Sequence, residues 1–164
     1  MRRTTGAAAV LGTVAGALLL SGCVAEDLPL AAVRVGQDGK PHALIRPCGD
    51  DRIEGLGLTG TRARDGSGRD LSGWSVDDTL RTGDASFPLF DPPADWHAQH
   101  TGTQHTVPAY TYRLGFMKGE FNYEYSVTLT FRTADLAKLK PGRVWADGRA
   151  MSLGEFEKLA EDSC

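Results

Sequence analysis

YTYRLGF (residues 110–116) and YEYSVTLTF (residues 123–131) carry the clearest structural pattern in the chain. In both runs apolar side chains alternate with polar ones, so that each run has one apolar face and one polar face. Gly119 lies in the short segment between them, where a turn is needed. The alternation predicts an antiparallel hairpin whose aromatic face lies in the core and whose other face meets water.

Shorter strand patterns precede this hairpin. Residues 31–35 have the alternation of a half-buried strand, and residues 43–46 return after a turn that contains Asp38 and Gly39. Residues 53–64 predict a twisted or bulged strand because three glycines interrupt it. Together these runs predict a mainly β domain, an antiparallel β-sandwich of immunoglobulin-like character. A β-barrel or an α+β sheet is the alternative.

One helix is predicted at the C-terminus. Ser152 followed by Glu155 has the spacing of a capping box, in which each side chain accepts a hydrogen bond from the other residue's backbone. Apolar residues then recur at helical spacing along one face, at Leu153, Phe156 and Leu159. We therefore expect a short amphipathic helix packed on the sheet.

Residues 85–108 show no regular period and combine prolines with three aromatic residues, which predicts a long loop. Either its aromatic side chains plug one open end of the sandwich, or the loop covers a ligand or binds a partner. His97, His100 and His105 are candidate ligands for zinc or copper. Their spacing is not diagnostic of a metal site, and no cofactor is predicted.

The N-terminus has the layout of an export signal. Arg2 and Arg3 precede an apolar run at residues 7–20, which is shorter than the roughly 20 residues of a membrane-spanning helix. The run ends in Leu20-Ser21-Gly22-Cys23, which closely resembles the lipobox of bacterial lipoproteins. That resemblance implies cleavage before Cys23, a lipid on its thiol, and a place on the extracytoplasmic face of the cell membrane. Whether export uses the general secretory or the twin-arginine route stays open.

This interpretation divides the chain into a signal peptide (1–22), a lipidated N-terminus with a short tether (23–29) and a single domain (30–164). Within that domain, Asp38-Gly39-Lys40-Pro41 and the following residues to Cys48 resemble the start of small actinobacterial lipoproteins of uncharacterised function. The resemblance brings no catalytic residues with it.

Charge and cysteine content narrow the classes of partner. Without the two arginines of the signal, 16 basic and 21 acidic residues remain, a net charge of −5 that argues against nucleic acid as a partner. With Cys23 assigned to lipid, Cys48 and Cys164 are left in a compartment that permits disulfides, and a bond between them is the simplest pairing. Free thiols or an intermolecular bridge are the alternatives.

No nucleophile elbow, phosphate loop or dinucleotide fingerprint occurs in the sequence, which weakens an enzymatic interpretation without eliminating it. We therefore expect a non-catalytic binding or interaction module of the cell envelope, attached to the membrane through its lipid, with a protein or a small molecule as its partner. The alternatives are a lipoprotein that binds a small ligand or a metal and, less favoured, an envelope hydrolase.

Overall fold

The computed structural model describes residues 25–62, 72–77, 81–119 and 124–164. Within those ranges the elements follow one another in this order: β1 (Glu26–Asp27), β2 (Ala31–Val35), β3 (Pro41–Ile45), β4 (Ile53–Arg62), β5 (Ser72–Ser75), β6 (Ala85–Pro88), a 3-10 helix (Ala94–Trp96), β7 (Gln99–Gly102), β8 (Tyr110–Lys118), β9 (Tyr125–Arg132), α1 (Thr133–Ala137), β10 (Arg143–Ala146), β11 (Arg149–Ser152) and α2 (Leu153–Ser163).

The strands form two sheets. One has the order β1-β9-β8-β4-β5-β7 and the other the order β11-β10-β2-β3-β6. Neighbouring strands are antiparallel except β1 and β9, which run parallel. Trp74 of the first sheet packs edge-on against Phe87 of the second, with ring centroids 5.8 Å apart. The prediction of a mainly antiparallel β-sandwich is therefore confirmed, and the described strands do not close into a barrel.

The predicted hairpin is β8 and β9, and it supplies much of the core. Leu114 lies opposite Leu129, and Phe116 lies opposite Val127. All four side chains are buried, whereas Thr128, between Val127 and Leu129, and Arg113, just before Leu114, are exposed. The alternation in the sequence thus gives the observed inside and outside faces.

β2 differs from its prediction. Ala31, Ala32 and Val33 are all buried. Because successive side chains on a strand point to opposite faces, both faces of β2 are covered at this point. The prediction of a half-buried strand is therefore wrong for this part of β2. The alternation assigns Ala32 to the solvent-facing positions because its side chain is small, but it is fully buried.

The C-terminal helix begins as predicted. The Ser152 hydroxyl accepts a hydrogen bond from the Glu155 N–H at 3.1 Å, and the Glu155 carboxylate accepts one from the Ser152 N–H at 2.6 Å. This backbone hydrogen bond lowers the pKa of Glu155. Phe156 and Ala160 on the inner side of α2 are buried, and the helix packs against β10 and β11.

A disulfide joins Cys48, just after β3, to Cys164, just after α2. The two residues are 116 positions apart in sequence, and their Cα atoms are 5.4 Å apart. The predicted pairing is confirmed over free thiols and an intermolecular bridge. The bond fixes the end of α2 beside the first hairpin.

The prediction of a long loop at residues 85–108 is wrong. The segment contains β6, the 3-10 helix and β7, and both strands lie at sheet edges. All four residues of β7 are exposed, so no apolar alternation marks that strand. The aromatic residues of the segment pack inward, since Phe87 and Trp96 are buried and Phe90 lies edge-on to Tyr112. These side chains are therefore packed, as the first alternative has it, but they do not plug one open end, since Phe87 lies between the sheets on an edge strand and Trp96 lies against Arg81.

The N-terminal part of the described chain joins the first sheet. Glu26 and Asp27 pair with Tyr125 and Ser126, and the Leu28 N–H donates to the Ser126 carbonyl at 2.8 Å. These residues belong to the segment assigned to the tether, so part of that segment is hydrogen-bonded to β9. No helix within the described ranges is long and apolar enough to cross a membrane.

Candidate functional site

The three histidines proposed as metal ligands are exposed and are spread along β7 and its flanks. His97 follows the 3-10 helix with a φ of 49°, and its N–H donates to the Ala94 carbonyl. His100 lies on β7, where its Nδ1 is 3.0 Å from Oε1 of Gln104. His105 lies beyond the other end of β7, and its carbonyl accepts from the Tyr112 hydroxyl at 3.3 Å.

Zinc sites need three or four protein ligands that converge on one point. Among the described residues, no group of three or more histidine, cysteine, aspartate or glutamate side chains is arranged to hold a metal ion. The structure therefore offers no geometric support for the metal-binding alternative in this part of the chain.

Cys23 and the rest of the lipobox lie outside the described residues, so the structure does not describe the predicted lipidation site. Glu26 of β1 follows Cys23 by three residues in the sequence. Three residues of extended chain span at most about 11 Å. The described chain begins at the end of the sandwich at which β1 joins β9, and this is the described end nearest to Cys23 in sequence.

The feature best suited to binding is a cleft of about 700 Å³ at the opposite end of the strands. It lies where β4 and β9 end and where β8 and α1 begin. We call it the distal cleft. Two arginines, one tyrosine and several small or apolar residues line it: Arg62, Pro108, Ala109, Tyr110, Arg132, Thr133, Ala134 and Ala137.

One wall of the distal cleft is a tight turn that leads into β8. The Tyr110 N–H donates to the Val107 carbonyl at 3.2 Å, which closes the turn around Pro108 and Ala109. Ala109 has a φ of 69°, a left-handed conformation that costs a residue with a side chain about 1 kcal/mol or more. Strained backbone of this kind persists where the surrounding structure holds it, and it is enriched at binding sites.

The neighbouring strands hold this turn in place. The buried Tyr112 hydroxyl accepts a hydrogen bond from the Val107 N–H at 2.7 Å, and the Thr133 hydroxyl donates to the Val107 carbonyl at 3.2 Å. Burial raises the pKa of Tyr112 above its ordinary value. The turn is thus fixed from β8 and from α1, and the cleft it borders is preformed.

The two arginines lie on strands that flank β8. Arg62 pairs with Tyr110, and Arg132 pairs with Thr111. Tyr110 and Thr111 point to opposite faces of the sheet, so the two arginine side chains leave the sheet on opposite faces, and both border the cleft because it lies at the ends of their strands. The Arg62 guanidinium is 5.9 Å from the centre of the Tyr110 ring. Neither guanidinium forms an ion pair with any residue in the described part of the chain.

Two cations at the β1 end, Lys118 and Arg46, form ion pairs within the fold. Lys118 Nζ lies 2.9 Å from an Asp51 oxygen and also binds Glu124, and these contacts raise its pKa. Arg46 donates two hydrogen bonds to the Glu157 carboxylate, at 2.9 and 2.7 Å. Their charges are compensated by partners within the fold, whereas no carboxylate in the described part of the chain forms an ion pair with Arg62 or Arg132.

The distal cleft was not predicted from the sequence. Arg132 follows the last residue of a strand that the sequence indicates, whereas the strand predicted over residues 53–64 continues past Arg62, which ends β4 only in the structure. Their convergence depends on the pairing of β4 with β8, whose register the sequence does not specify.

Comparison with known proteins adds no assignment. No protein family model matches the chain, and searches of curated proteins and of solved structures give no match either. The functional argument therefore depends on the residues and geometry described above.

Proposed function

We propose that this protein is an extracytoplasmic lipoprotein, anchored to the cell membrane through Cys23, that acts as a non-catalytic binding module through its distal cleft. One observation carries the proposal. The segment nearest Cys23 and the distal cleft lie at opposite ends of the same strands, because β1 pairs with the first residues of β9 and Arg132 is its last. A lipid at the β1 end would leave the cleft facing away from the membrane.

The strands are long enough to keep the charges of the distal cleft away from the membrane surface. β4 runs the length of the first sheet over ten residues, which corresponds to about 30 Å. At physiological ionic strength the Debye length is about 8 Å. Charges in the distal cleft would therefore lie beyond the screened field of the membrane surface, and other anions could reach them.

The chemistry of the cleft supports binding rather than catalysis. Arginine only donates hydrogen bonds and does not exchange protons near neutral pH, so Arg62 and Arg132 are suited to holding an anion and unsuited to acid or base catalysis. The remaining lining, including Pro108 and Ala134, is small or apolar and offers contact area.

Photo-crosslinking on native membranes tests the proposal. A photoreactive residue is introduced at Ala134, which is exposed and lines the distal cleft, and in a matched variant at Arg52, which is exposed at the β1 end. We expect a discrete adduct from position 134 that position 52 does not give. The same adducts from both positions, or none from either, would contradict a binding role for the cleft.

A further inference from the structure

Charge is divided between the two ends of the sandwich, although the chain as a whole is acidic. Both sheets share these ends, because the Cys48 N–H, just after β3, donates to the Tyr125 hydroxyl at the start of β9. Around the distal cleft the described basic residues outnumber the acidic ones. The basic residues are Arg34, Lys40, Arg62, Arg132, Lys138, Lys140 and Arg143, and the acidic ones are Asp38, Asp91, Asp135 and Glu155.

The β1 end has the opposite balance. Its described acidic residues are Glu26, Asp27, Asp50, Asp51, Glu54, Asp84, Glu124, Asp147, Glu157, Glu161 and Asp162. Its basic residues are fewer, and Arg46, Lys118 and Lys158 among them are held in ion pairs, as is Arg143 with Glu155 at the distal end. A net charge of −3 for the whole chain therefore conceals a basic distal end.

A second basic cleft lies at the same end, on the other sheet. It has a volume of about 510 Å³ and is lined by Arg34, His42 and Arg143 together with Asp38 and the turn residues beside it. The buried Nε of Arg34 donates to no acceptor among the described residues. Lys138 and Lys140 occupy the connection from α1 to β10, which links the two clefts along the chain.

From this arrangement we infer that the distal end binds an acidic polysaccharide. The inference builds on the proposed function by giving the binding module a ligand class. Carboxylates of the polymer bind Arg62 and Arg132, whose planar guanidinium groups match a carboxylate with two parallel hydrogen bonds. The sugar rings lie against Tyr110 and the apolar lining of the cleft.

Two features favour a polysaccharide over a small anion. Basic side chains extend from the distal cleft to the second cleft, a span that suits a chain carrying charge at regular intervals. Apolar and aromatic surface dominates between the arginines, where Tyr110, Pro108, Ala109 and Ala137 meet the ligand. A sugar ring offers an apolar face to such a surface, whereas a bare phosphate chain does not.

Calorimetric titration with polygalacturonate oligomers tests this inference on the full-length protein in a non-ionic detergent. Neutral dextran oligomers of equal length and polyphosphate serve as comparison probes. We expect saturable binding of polygalacturonate that weakens as salt is added, weaker binding of polyphosphate, and none of dextran. Replacing both arginines (Arg62→Gln with Arg132→Gln) should raise Kd at least about tenfold, and lysine at both positions should raise it less.

Arg52→Gln is the matched control for each single cleft substitution, Arg62→Gln or Arg132→Gln, because it removes one charge from an exposed position at the β1 end, and it should change Kd by less than about twofold. A urea midpoint measured for every variant shows that the fold is intact. The inference is overturned if polygalacturonate does not bind, if dextran or polyphosphate binds as tightly, or if Arg52→Gln weakens binding as much as the cleft substitutions. If polygalacturonate does not bind but the position-134 adduct still forms, the polysaccharide inference fails. The proposed function would then hold with another ligand.

Discussion

Replacing both Cys48 and Cys164 with serine is expected to lower the free energy of unfolding by about 4 to 5 kcal/mol, the value that loop-closure entropy gives for a loop of more than 100 residues. The two cysteines are 116 positions apart, so the bond restricts almost the entire unfolded domain. Strain and residual structure in the unfolded state often reduce such effects. A loss of this size is a large fraction of the stability of an ordinary domain.

Urea unfolding of the oxidised protein and of the double-serine variant measures this difference. Both proteins should carry Cys23→Ala, so that no other thiol or lipid changes between them. Adding a reductant to the oxidised protein should reproduce the shift in the midpoint without any substitution, whereas the serine variant should not respond. A difference below about 1 kcal/mol would show that α2 is held by packing of Phe156 and Ala160 rather than by the bond.

Substituting Cys23 alone is expected to move the protein from the membrane fraction to the soluble fraction. Each buried methylene of an acyl chain contributes about 0.8 kcal/mol, and two or more chains are needed for stable anchoring. Within the described ranges no helix can take over this role, and the net charge is negative. Removing the thiol would remove the proposed attachment point for the lipid.

Labelling with a fatty-acid analogue gives this prediction a second readout. The unaltered protein should incorporate the label, Cys23→Ala should not, and Cys48→Ser should still incorporate it because that thiol is committed to the disulfide. Label on the Cys23→Ala protein, or its retention with membranes after extraction at high salt, would contradict lipidation at this position.

The predicted parts of the fold depend on local signals. The β8–β9 hairpin follows from strict alternation, and the start of α2 follows from Ser152 and Glu155, because each pattern involves neighbours in sequence. The segment at residues 85–108 was predicted incorrectly because its structure leaves no such local signal. β7 lies at a sheet edge with every residue exposed, and its pairing with β5 comes from tertiary contact that leaves no periodic trace.

The candidate site depends on contacts that are distant in the sequence. Arg62 and Arg132 are separated by most of the first sheet along the chain, and only the register of β4, β8 and β9 brings them to one cleft. The uneven charge has the same origin. Composition gives a net value of −3, whereas strand direction decides which side chains share an end. By contrast, Cys48 and Cys164 could be paired by elimination once Cys23 was set aside.

The orientation of the anchored domain tests the central claim most directly. A fluorescent amino acid is placed at Ala134 in one variant and at Arg52 in another, and each protein is reconstituted in bilayers whose headgroups carry a quencher. The two positions are separated by about the length of β4, roughly 30 Å. We predict strong quenching at position 52 and little at position 134. Equal quenching at both positions, or stronger quenching at position 134, would contradict a cleft held away from the membrane by an anchor at the β1 end.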